Sequence, residues 1–227
     1  KKKISNFIPG NYMTININST NINEINYSIK SYTYFPCSEN ISNINVCIVN
    51  TLANAVKKRV IGTTERPIAC LLSGGLDSSL IAGLVNQEFK YNNIYPDKKL
   101  KTFSIGMPGS EDLKYAKIVS NYLDTDHHEI IVNEDDFFNS IPEVIKASES
   151  YDTTTVRASV GNYLVAKYIK ENTDCKVIFN GDGADELMGG YLYFKNSPNA
   201  YEFDKECKRL LRDIYMFDVL RSDKSIS

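Results

Sequence analysis

Residues 67–84 read PIACLLSGGLDSSLIAGL, and their pattern indicates a local fold. An apolar run at 68–72 is followed by SGGLDSS, and apolar residues then recur at helical spacing from Leu80. This order predicts a buried strand, a glycine-rich loop and a helix. Glycines let an anion approach the backbone closely, and the first turn of a helix presents N–H groups that have no partner within the helix. The stretch therefore predicts a phosphate-binding site, with a plain turn as the alternative.

Asp77 argues against a Walker-type phosphate-binding loop. A Walker-type loop carries a lysine before its terminal Ser or Thr, whereas this loop has Asp77 there. A carboxylate repels phosphate unless a cation lies between them, so the loop implies Mg²⁺ bound by Asp77 and by pyrophosphate oxygens. The hydroxyls of Ser73 and Ser78 supply additional donors to a phosphate.

The composition is that of an ordinary globular protein, with 42% hydrophobic and 24% charged residues among 227. A net charge of −2 argues against a partner as acidic as nucleic acid. The five cysteines are scattered without a C-x-x-C pair, which indicates neither a zinc site nor a disulfide framework and favours a reducing compartment. With no long apolar span and no signal-peptide pattern, we expect a cytoplasmic protein without a membrane partner.

Apolar periodicity predicts an α/β fold for most of the chain. The predicted strands are 68–72, 101–106, 128–132 and 176–180, and the predicted helices are 41–61, 79–90, 112–123, 134–149, 158–171 and 201–220. Strands that alternate with helices form a parallel sheet covered by helices on both faces. Two strand-like stretches, 12–17 and 27–34, precede this region. We therefore expect a short β remnant at 1–35, a linker at 36–40 and an α/β domain at 41–227.

Glycine and acidic residues follow three of the predicted strands, at 73–79, 106–110 and 181–186. Ligands of open α/β sheets bind beyond the carboxyl ends of the strands, so we expect these loops to converge on one crevice, with ordinary turns as the alternative. The adjacent His127 and His128 invite a metal interpretation, but neighbours on a strand point to opposite faces. We therefore predict that both are plain strand residues.

The loop SGGLDS resembles the PP-loop of the N-type ATP pyrophosphatases, whose fold is called adenine nucleotide alpha hydrolase-like. Further segments resemble asparagine synthetase of the glutamine-hydrolysing type, in the order of that family. They are LLSGGLDSS (71–79), SIGMPGSEDL (104–113), HHE (127–129), YDTTTVRAS (151–159), GDGADE (181–186) and GGY (189–191). Lysidine-type and β-lactam-forming PP-loop enzymes are the alternatives.

The resemblance implies ATP-dependent amidation of aspartate to asparagine. Aspartate would attack the α-phosphorus of Mg-ATP to give β-aspartyl-AMP and pyrophosphate, and ammonia would then release AMP. In the intact parent protein, the ammonia would come from glutamine. The implied partners are thus aspartate, ATP and ammonia or glutamine, with Mg²⁺ as cofactor and a homodimer as one expected assembly.

The resemblance also implies roles for individual residues. Pyrophosphate would be bound by Ser73, Gly74, Gly75 and Ser78, the nucleotide by Leu71, Ile105, Asn180 and Gly181, and Mg²⁺ by Asp77 and Asp185. Aspartate or the intermediate would be bound by Thr154, Arg157 and Glu186, with Asp182 and Arg157 as the catalytic residues. Arg157 suits this role because a guanidinium binds a carboxylate or phosphate through two parallel hydrogen bonds. Burial in the core is the alternative for Leu71 and Ile105, and a surface position at a helix start is the alternative for Arg157.

Two departures from the family pattern bear on activity. The family usually carries Glu between the first two glycines of the acidic loop, where this chain has Asp182, which is one methylene shorter. None of the five cysteines stands where the family has its glutaminase nucleophile, and residues 1–35 resemble only the end of that glutaminase domain. We therefore expect a fragment that ends within the synthetase domain, and its own activity stays open. A non-catalytic nucleotide-binding relative and another AMP-forming PP-loop ligase are the competing interpretations.

Overall fold

The computed structural model describes residues 7, 10–16, 26–31, 43–92, 94, 96 and 98–226. The predicted linker at 36–40 lies outside these described residues. The chain divides into two units, of which one is Ile44–Lys195 and the other comprises Lys1–Asn43 and Asn196–Ser227.

Strands and helices alternate through the larger unit. The strands within the described residues are β1 (Asn11–Asn16), β2 (Asn26–Ser31), β3 (Ile68–Leu71), β4 (Lys101–Gly106), β5 (Asp126–Ile131) and β6 (Val177–Phe179). The α-helices are α1 (Ile44–Ile61), α2 (Leu76–Tyr91), α3 (Glu111–Leu123), α4 (Glu134–Ser148), α5 (Thr153–Asn172), α6 (Ala184–Met188) and α7 (Ala200–Ile226). Within the described residues, no helix is both long and apolar enough to span a membrane.

Two helices begin earlier than the periodicity predicts. α2 begins at Leu76 rather than residue 79, which places Asp77 in its first turn. α5 begins at Thr153 rather than residue 158, because the Asp152 carboxylate accepts a hydrogen bond of 2.8 Å from the Thr155 N–H and caps the helix. Both differences move predicted site residues from loops onto the first turns of helices.

The strands β3 to β6 form one sheet, which is parallel as predicted, and the structure gives their order as β5-β4-β3-β6. In this register, Cys70 of β3 lies between Thr102 of β4 and Phe179 of β6. Because the strands all run in the same direction, their carboxyl ends meet at one edge of the sheet. The glycine loop after β3 and the acidic loop after β6 therefore follow neighbouring strands.

Apolar side chains are buried on both faces of this sheet. The core on one face includes Val56 and Val60 of α1, Cys70 of β3, and Ala82, Val85 and Phe89 of α2. The core on the other face includes Ala69, Phe103 and Ile130 of the sheet, and Val165 and Ile169 of α5. Alternate residues of a strand point to opposite faces, so both faces need helices to exclude water. The predicted fold class, a parallel sheet covered on both faces, is confirmed.

His127 and His128 lie on opposite faces of β5, as predicted. The imidazole of His127 lies 2.9 Å from the Thr102 hydroxyl and 3.1 Å from the Ser104 hydroxyl, on one face. The His128 ring stacks on Phe103 on the other face, with ring centroids 5.0 Å apart. Burial lowers the pKa of His127, which keeps this imidazole neutral within a polar cluster.

The smaller unit contains an antiparallel pair of strands and a long helix, each described by itself. β1 pairs with β2, with Asn11 opposite Ser31, close to the predicted strand-like stretches. The Ser31 hydroxyl donates a hydrogen bond of 2.8 Å to the Asn11 side chain across the pair. The helix α7 carries ion pairs at helical spacing, including Lys208 with Asp204 at 2.6 Å.

Candidate functional site

Two serines of the glycine loop after β3 hydrogen-bond to each other across the loop. The Ser73 and Ser78 hydroxyls lie 3.0 Å apart, and the Ser73 N–H donates to the Ser78 oxygen at 3.2 Å. The start of the loop is tied to the sheet, because the Leu72 N–H donates to the Phe103 carbonyl at 2.8 Å. No side chain caps α2 at Gly75. The N–H groups of the first turn of α2 can therefore donate to an anion.

Gly74 is required for the path of this loop. It has a φ of +81°, which lies in the left-handed region that side chains disfavour. A Cβ at this position would also overlap the backbone of Tyr115 and Ala116 in α3. The loop can therefore pack against α3 only with a glycine here.

The acidic loop after β6 touches the N-terminus of α2. A Cβ added to Gly181 would lie 2.7 Å from the Ser78 nitrogen and 2.8 Å from the Asp77 carbonyl carbon, closer than van der Waals contact allows. The two loops therefore approach each other backbone to backbone. Between them lies a cavity of about 400 Å³. Predicted site residues that line it are Leu71, Ser73, Asp77, Ser78, Asn180, Gly181, Asp182, Asp185 and Glu186.

Three carboxylates of the acidic loop and α6 face this cavity together with Asp77. The Asn180 amide donates a hydrogen bond of 2.8 Å to the Asp182 carboxylate, and the Tyr191 hydroxyl donates to the Glu186 carboxylate. The second hydrogen bond lowers the pKa of Glu186 and raises the pKa of Tyr191 to about 12. Glu186 is thus held in its charged form as a hydrogen-bond acceptor.

The donor set suits Mg²⁺ in the presence of a polyphosphate. No group of three or more His, Cys, Asp and Glu residues with metal-binding geometry occurs in the described part of the chain. Mg²⁺ is commonly bound by one or two carboxylates together with phosphate oxygens and water. Asp77 and Asp185 line the same cavity and supply hard oxygen ligands of the kind that this ion prefers.

The loop after β4 does not line the 400 Å³ cavity. Its Gly106 packs on its own turn, because an added Cβ would lie 2.9 Å from the Ser110 hydroxyl and 3.0 Å from Leu113. Ile105 is half-buried and packs against the core formed with α5, as Leu71 does. The structure therefore brings together two of the three predicted loops at this cavity, and only Leu71 of the two apolar nucleotide candidates lines it.

Arg157 lies at a second cavity, of about 690 Å³, between α4 and α5. This cavity is also lined by Met107 of the loop after β4 and by apolar side chains of α4, including Phe137 and Ile141. Arg157 is exposed and makes no ion pair within the described residues. Thr154, one turn earlier on α5, is exposed as well. The guanidinium is thus free to bind an anion at the edge of an apolar surface.

Four residues that line the 400 Å³ cavity have no predicted role, namely Asn162, Gly183, Ala184 and Tyr191. Gly183 and Ala184 belong to the acidic loop segment GDGADE. Tyr191 belongs to the GGY segment, and this motif could have identified it as a candidate site residue. Asn162 lies within α5, where neither periodicity nor a motif distinguishes a polar residue that faces a cavity from one that faces solvent.

Comparison with known proteins places most of the chain in one family. The sequence pattern of the family described as asparagine synthase matches residues 48–225. The asparagine synthetase [glutamine-hydrolyzing] of Mus musculus is 50% identical over 173 residues, which are 76% of this chain and 30% of that protein. Its Gallus gallus counterpart is 40% identical over 238 residues, or 98% of this chain and 42% of that protein. The chain thus spans less than half the length of these relatives.

Solved structures that align with part of this chain are more distant in sequence. An NH3-dependent NAD synthetase from Campylobacter jejuni, in complex with a nitrate ion, aligns with a TM-score of 0.41 and 20% identity, over 63% of this chain and 59% of that one. The NAD+ synthetase from Burkholderia pseudomallei aligns with a TM-score of 0.39 and 14% identity, over 70% of this chain and 67% of that one.

Proposed function

The chain belongs to the asparagine synthase family, and we propose that it carries the ATP-binding part of an enzyme that converts aspartate to asparagine. The β-carboxylate of aspartate attacks the α-phosphorus of ATP, which forms β-aspartyl-AMP and releases pyrophosphate. Ammonia, supplied from glutamine in the intact parent, then forms the amide and releases AMP. The observation that carries this proposal is the contact of Gly181 with Asp77 and Ser78, which makes one cavity from the glycine loop and the acidic loop.

The glycine loop supplies the phosphate contacts in this proposal. The N–H groups of the first turn of α2 and the Ser73 and Ser78 hydroxyls donate to the phosphate oxygens. Attack by one anion on another requires that negative charge be neutralised where it accumulates. Asp77 and Asp185 would hold Mg²⁺, which neutralises the charge of the departing pyrophosphate when it is bound. Leu71 and the backbone at Asn180 and Gly181 contact the nucleotide, whereas Ile105 packs against the core formed with α5 and does not line this cavity.

The acidic loop and α5 supply the contacts to the amino acid. Arg157 lies at the 690 Å³ cavity rather than the 400 Å³ cavity, and we assign its planar guanidinium to the aspartate carboxylate or the adenylate, with the Thr154 hydroxyl one turn earlier on α5. Glu186 is charged and faces the cavity, so it accepts from the α-ammonium group of aspartate. Asp182 supports formation of the intermediate and accepts the proton that ammonia loses. The proposed small-molecule partners are thus aspartate, ATP and ammonia or glutamine, in the cytoplasm.

The proposal is tested by aspartate-dependent exchange of labelled pyrophosphate into ATP, on this chain and on the longer parent protein. Exchange needs only the adenylation step, so it does not depend on the source of ammonia. We expect Asp77→Ala to abolish pyrophosphate exchange and Asp135→Ala to preserve it. Asp135 is a matched control because it is also an exposed aspartate in the first turn of a helix. Near-normal exchange in Asp77→Ala would contradict the assignment. Binding of ATP by both proteins without exchange would favour a non-catalytic nucleotide-binding relative.

A second candidate function follows from the apolar cavity beside Arg157. Aspartate carries two carboxylates and an ammonium, whereas this cavity offers one guanidinium among side chains such as Phe137, Ile141 and Val156. Such a surface also suits a carboxylic acid with an apolar tail, activated by another AMP-forming ligase of the PP-loop type. The same exchange assay, run with a series of carboxylic acids and amino acids in place of aspartate, distinguishes the two functions by the substrate that supports exchange.

A further inference from the structure

The segment Gly189, Gly190 and Tyr191 follows α6 directly and folds back onto the acidic residues of that helix. We propose that these three residues form a clamp that positions the carboxylates of Asp185 and Glu186 at the cavity, with Tyr191 as the positioning residue for Glu186. The clamp deepens the proposed function and rests on it for the identity of the ligands. The proposed function assigns no part to Gly190 or Tyr191.

The first part of the clamp acts on Asp185. Gly189 ends α6 with a φ of +64°, and the Gly190 N–H donates a hydrogen bond of 3.0 Å to the Asp185 carbonyl. A Cβ on Gly190 would overlap the Asp185 carboxylate oxygen and would lie 3.2 Å from the Asp185 Cα. The carboxylate therefore occupies the space that a side chain at residue 190 would need. Only a glycine there lets Asp185 keep the position that the structure gives it.

The second part of the clamp acts on Glu186. The Tyr191 hydroxyl donates a hydrogen bond to the Glu186 carboxylate, and both side chains line the 400 Å³ cavity. The Tyr191 ring is itself supported, because it stacks on Tyr193 with centroids 6.1 Å apart, and Tyr193 stacks on Phe194 at 4.3 Å. A phenol held in an aromatic row presents its hydroxyl in a defined direction, so the carboxylate that accepts from it is restricted as well.

The clamp matters because α6 is only five residues long and has no buried residue. A single helical turn is marginal on its own, so its side chains would otherwise sample several orientations. Catalytic binding sites depend strongly on groups held in position before the substrate arrives. The hydrogen bond from the Tyr191 hydroxyl restrains the Glu186 carboxylate, and the hydrogen bond from the Gly190 N–H holds the Asp185 backbone, which supplies order that the core cannot.

The two halves of the clamp predict effects on different substrates in the pyrophosphate exchange assay. Tyr191→Phe keeps the aromatic ring and removes only the hydroxyl, and we expect it to raise the KM for aspartate about tenfold while the KM for ATP and kcat change little. Gly190→Ala displaces the end of the Asp185 side chain, and we expect it to raise the KM for Mg-ATP instead. Tyr193→Phe, the matched control, should change neither, because this tyrosine contacts the clamp only through its ring.

Amide hydrogen exchange of residues 184–190 tests the clamp without any catalysis. We expect faster exchange in Tyr191→Phe and in Glu186→Gln, which weakens the same hydrogen bond from the other side, and wild-type exchange in Tyr193→Phe. Unchanged exchange in both variants, or equal changes in Tyr191→Phe and Tyr193→Phe, would overturn the clamp. Faster amide exchange in the two variants, with no aspartate-dependent pyrophosphate exchange in the wild-type parent protein, would support the clamp and reject the proposed function.

Discussion

Gly181→Ala is the most direct test of how the two loops meet. The added Cβ would lie 2.7 Å from the Ser78 nitrogen and 2.8 Å from the Asp77 carbonyl carbon, whereas ordinary van der Waals contact begins at 3.4 Å. The acidic loop must therefore move away from α2 by about 0.7 Å, which is the difference between 3.4 and 2.7 Å. Both neighbouring atoms belong to the backbone of a helix, so the acidic loop rather than α2 has to give.

The cost of this shift can be estimated for stability and for binding. Inserting a methyl group into a close-packed contact typically costs about 1–3 kcal/mol. A misplacement of about 1 Å can lower the activity of a site about 10²-fold, so a shift of this size should weaken ATP binding by at least about tenfold. Gly161→Ala is the control, because its added Cβ meets no atom within 4 Å and it lies inside α5. Alanine in a helix interior should raise the stability by about 0.5–1 kcal/mol.

Urea denaturation and ATP titration measure the two effects on the same protein samples. We expect the free energy of unfolding to fall in Gly181→Ala and to rise in Gly161→Ala, while only Gly181→Ala loses affinity for ATP. Equal stability and equal ATP affinity for Gly181→Ala and wild type would refute the backbone contact between the loops. A loss of stability without a loss of ATP affinity would leave the contact intact but remove the cavity from the nucleotide site.

Three further predictions concern His127, two cysteines and Asp182. Burial lowers the pKa of His127 from its ordinary 6.5, so as the pH falls the unfolded chain protonates this imidazole before the folded chain does. The urea midpoint of unfolding should therefore fall as the pH drops below about 6.5, and it should fall less in His127→Gln. Iodoacetamide should alkylate the exposed Cys47 in the native chain but Cys70 only after unfolding, because burial raises the pKa of the Cys70 thiol, and peptide mass spectrometry reads out both sites. Asp182→Glu restores the missing methylene, and we expect faster aspartate-dependent pyrophosphate exchange; an unchanged rate would mean that reach is not limiting.

The sequence predicts the parallel sheet well because its strands are short, alternate with helices and are separated by clear turn residues. Helix starts are harder to predict, since a start depends on a cap rather than on apolar spacing. The periodicity of α2 becomes visible only at Leu80, whereas its backbone is already helical at Leu76. The run Thr153 to Thr155 favours strand by propensity, but the Asp152 cap makes it the first turn of α5.

The candidate site is predictable where a motif fixes the backbone and less so where distant segments meet. The glycine and acidic loops follow neighbouring strands, so their meeting follows from the strand order. The loop after β4 follows a neighbouring strand too, yet Gly106 packs on Ser110 and Leu113 and turns it away from the cavity. The contribution of Asn162 depends on the rotation of α5 about its axis, which side-chain packing determines. No local sequence pattern predicts the rotation of α5 about its axis.

The pairing of Asn180 with Asp182 bears on what the shorter carboxylate can do. The loss of one methylene reduces reach by about 1.5 Å, the length of one carbon–carbon bond. It also removes one rotatable bond, so an aspartate loses less conformational entropy than a glutamate when it is fixed. Here the Asn180 amide fixes it with a hydrogen bond of 2.8 Å. A carboxylate that accepts a proton at a defined point benefits from such a restraint. If Asp182 accepts the proton that ammonia loses, as we propose, this orientation compensates in part for its shorter reach.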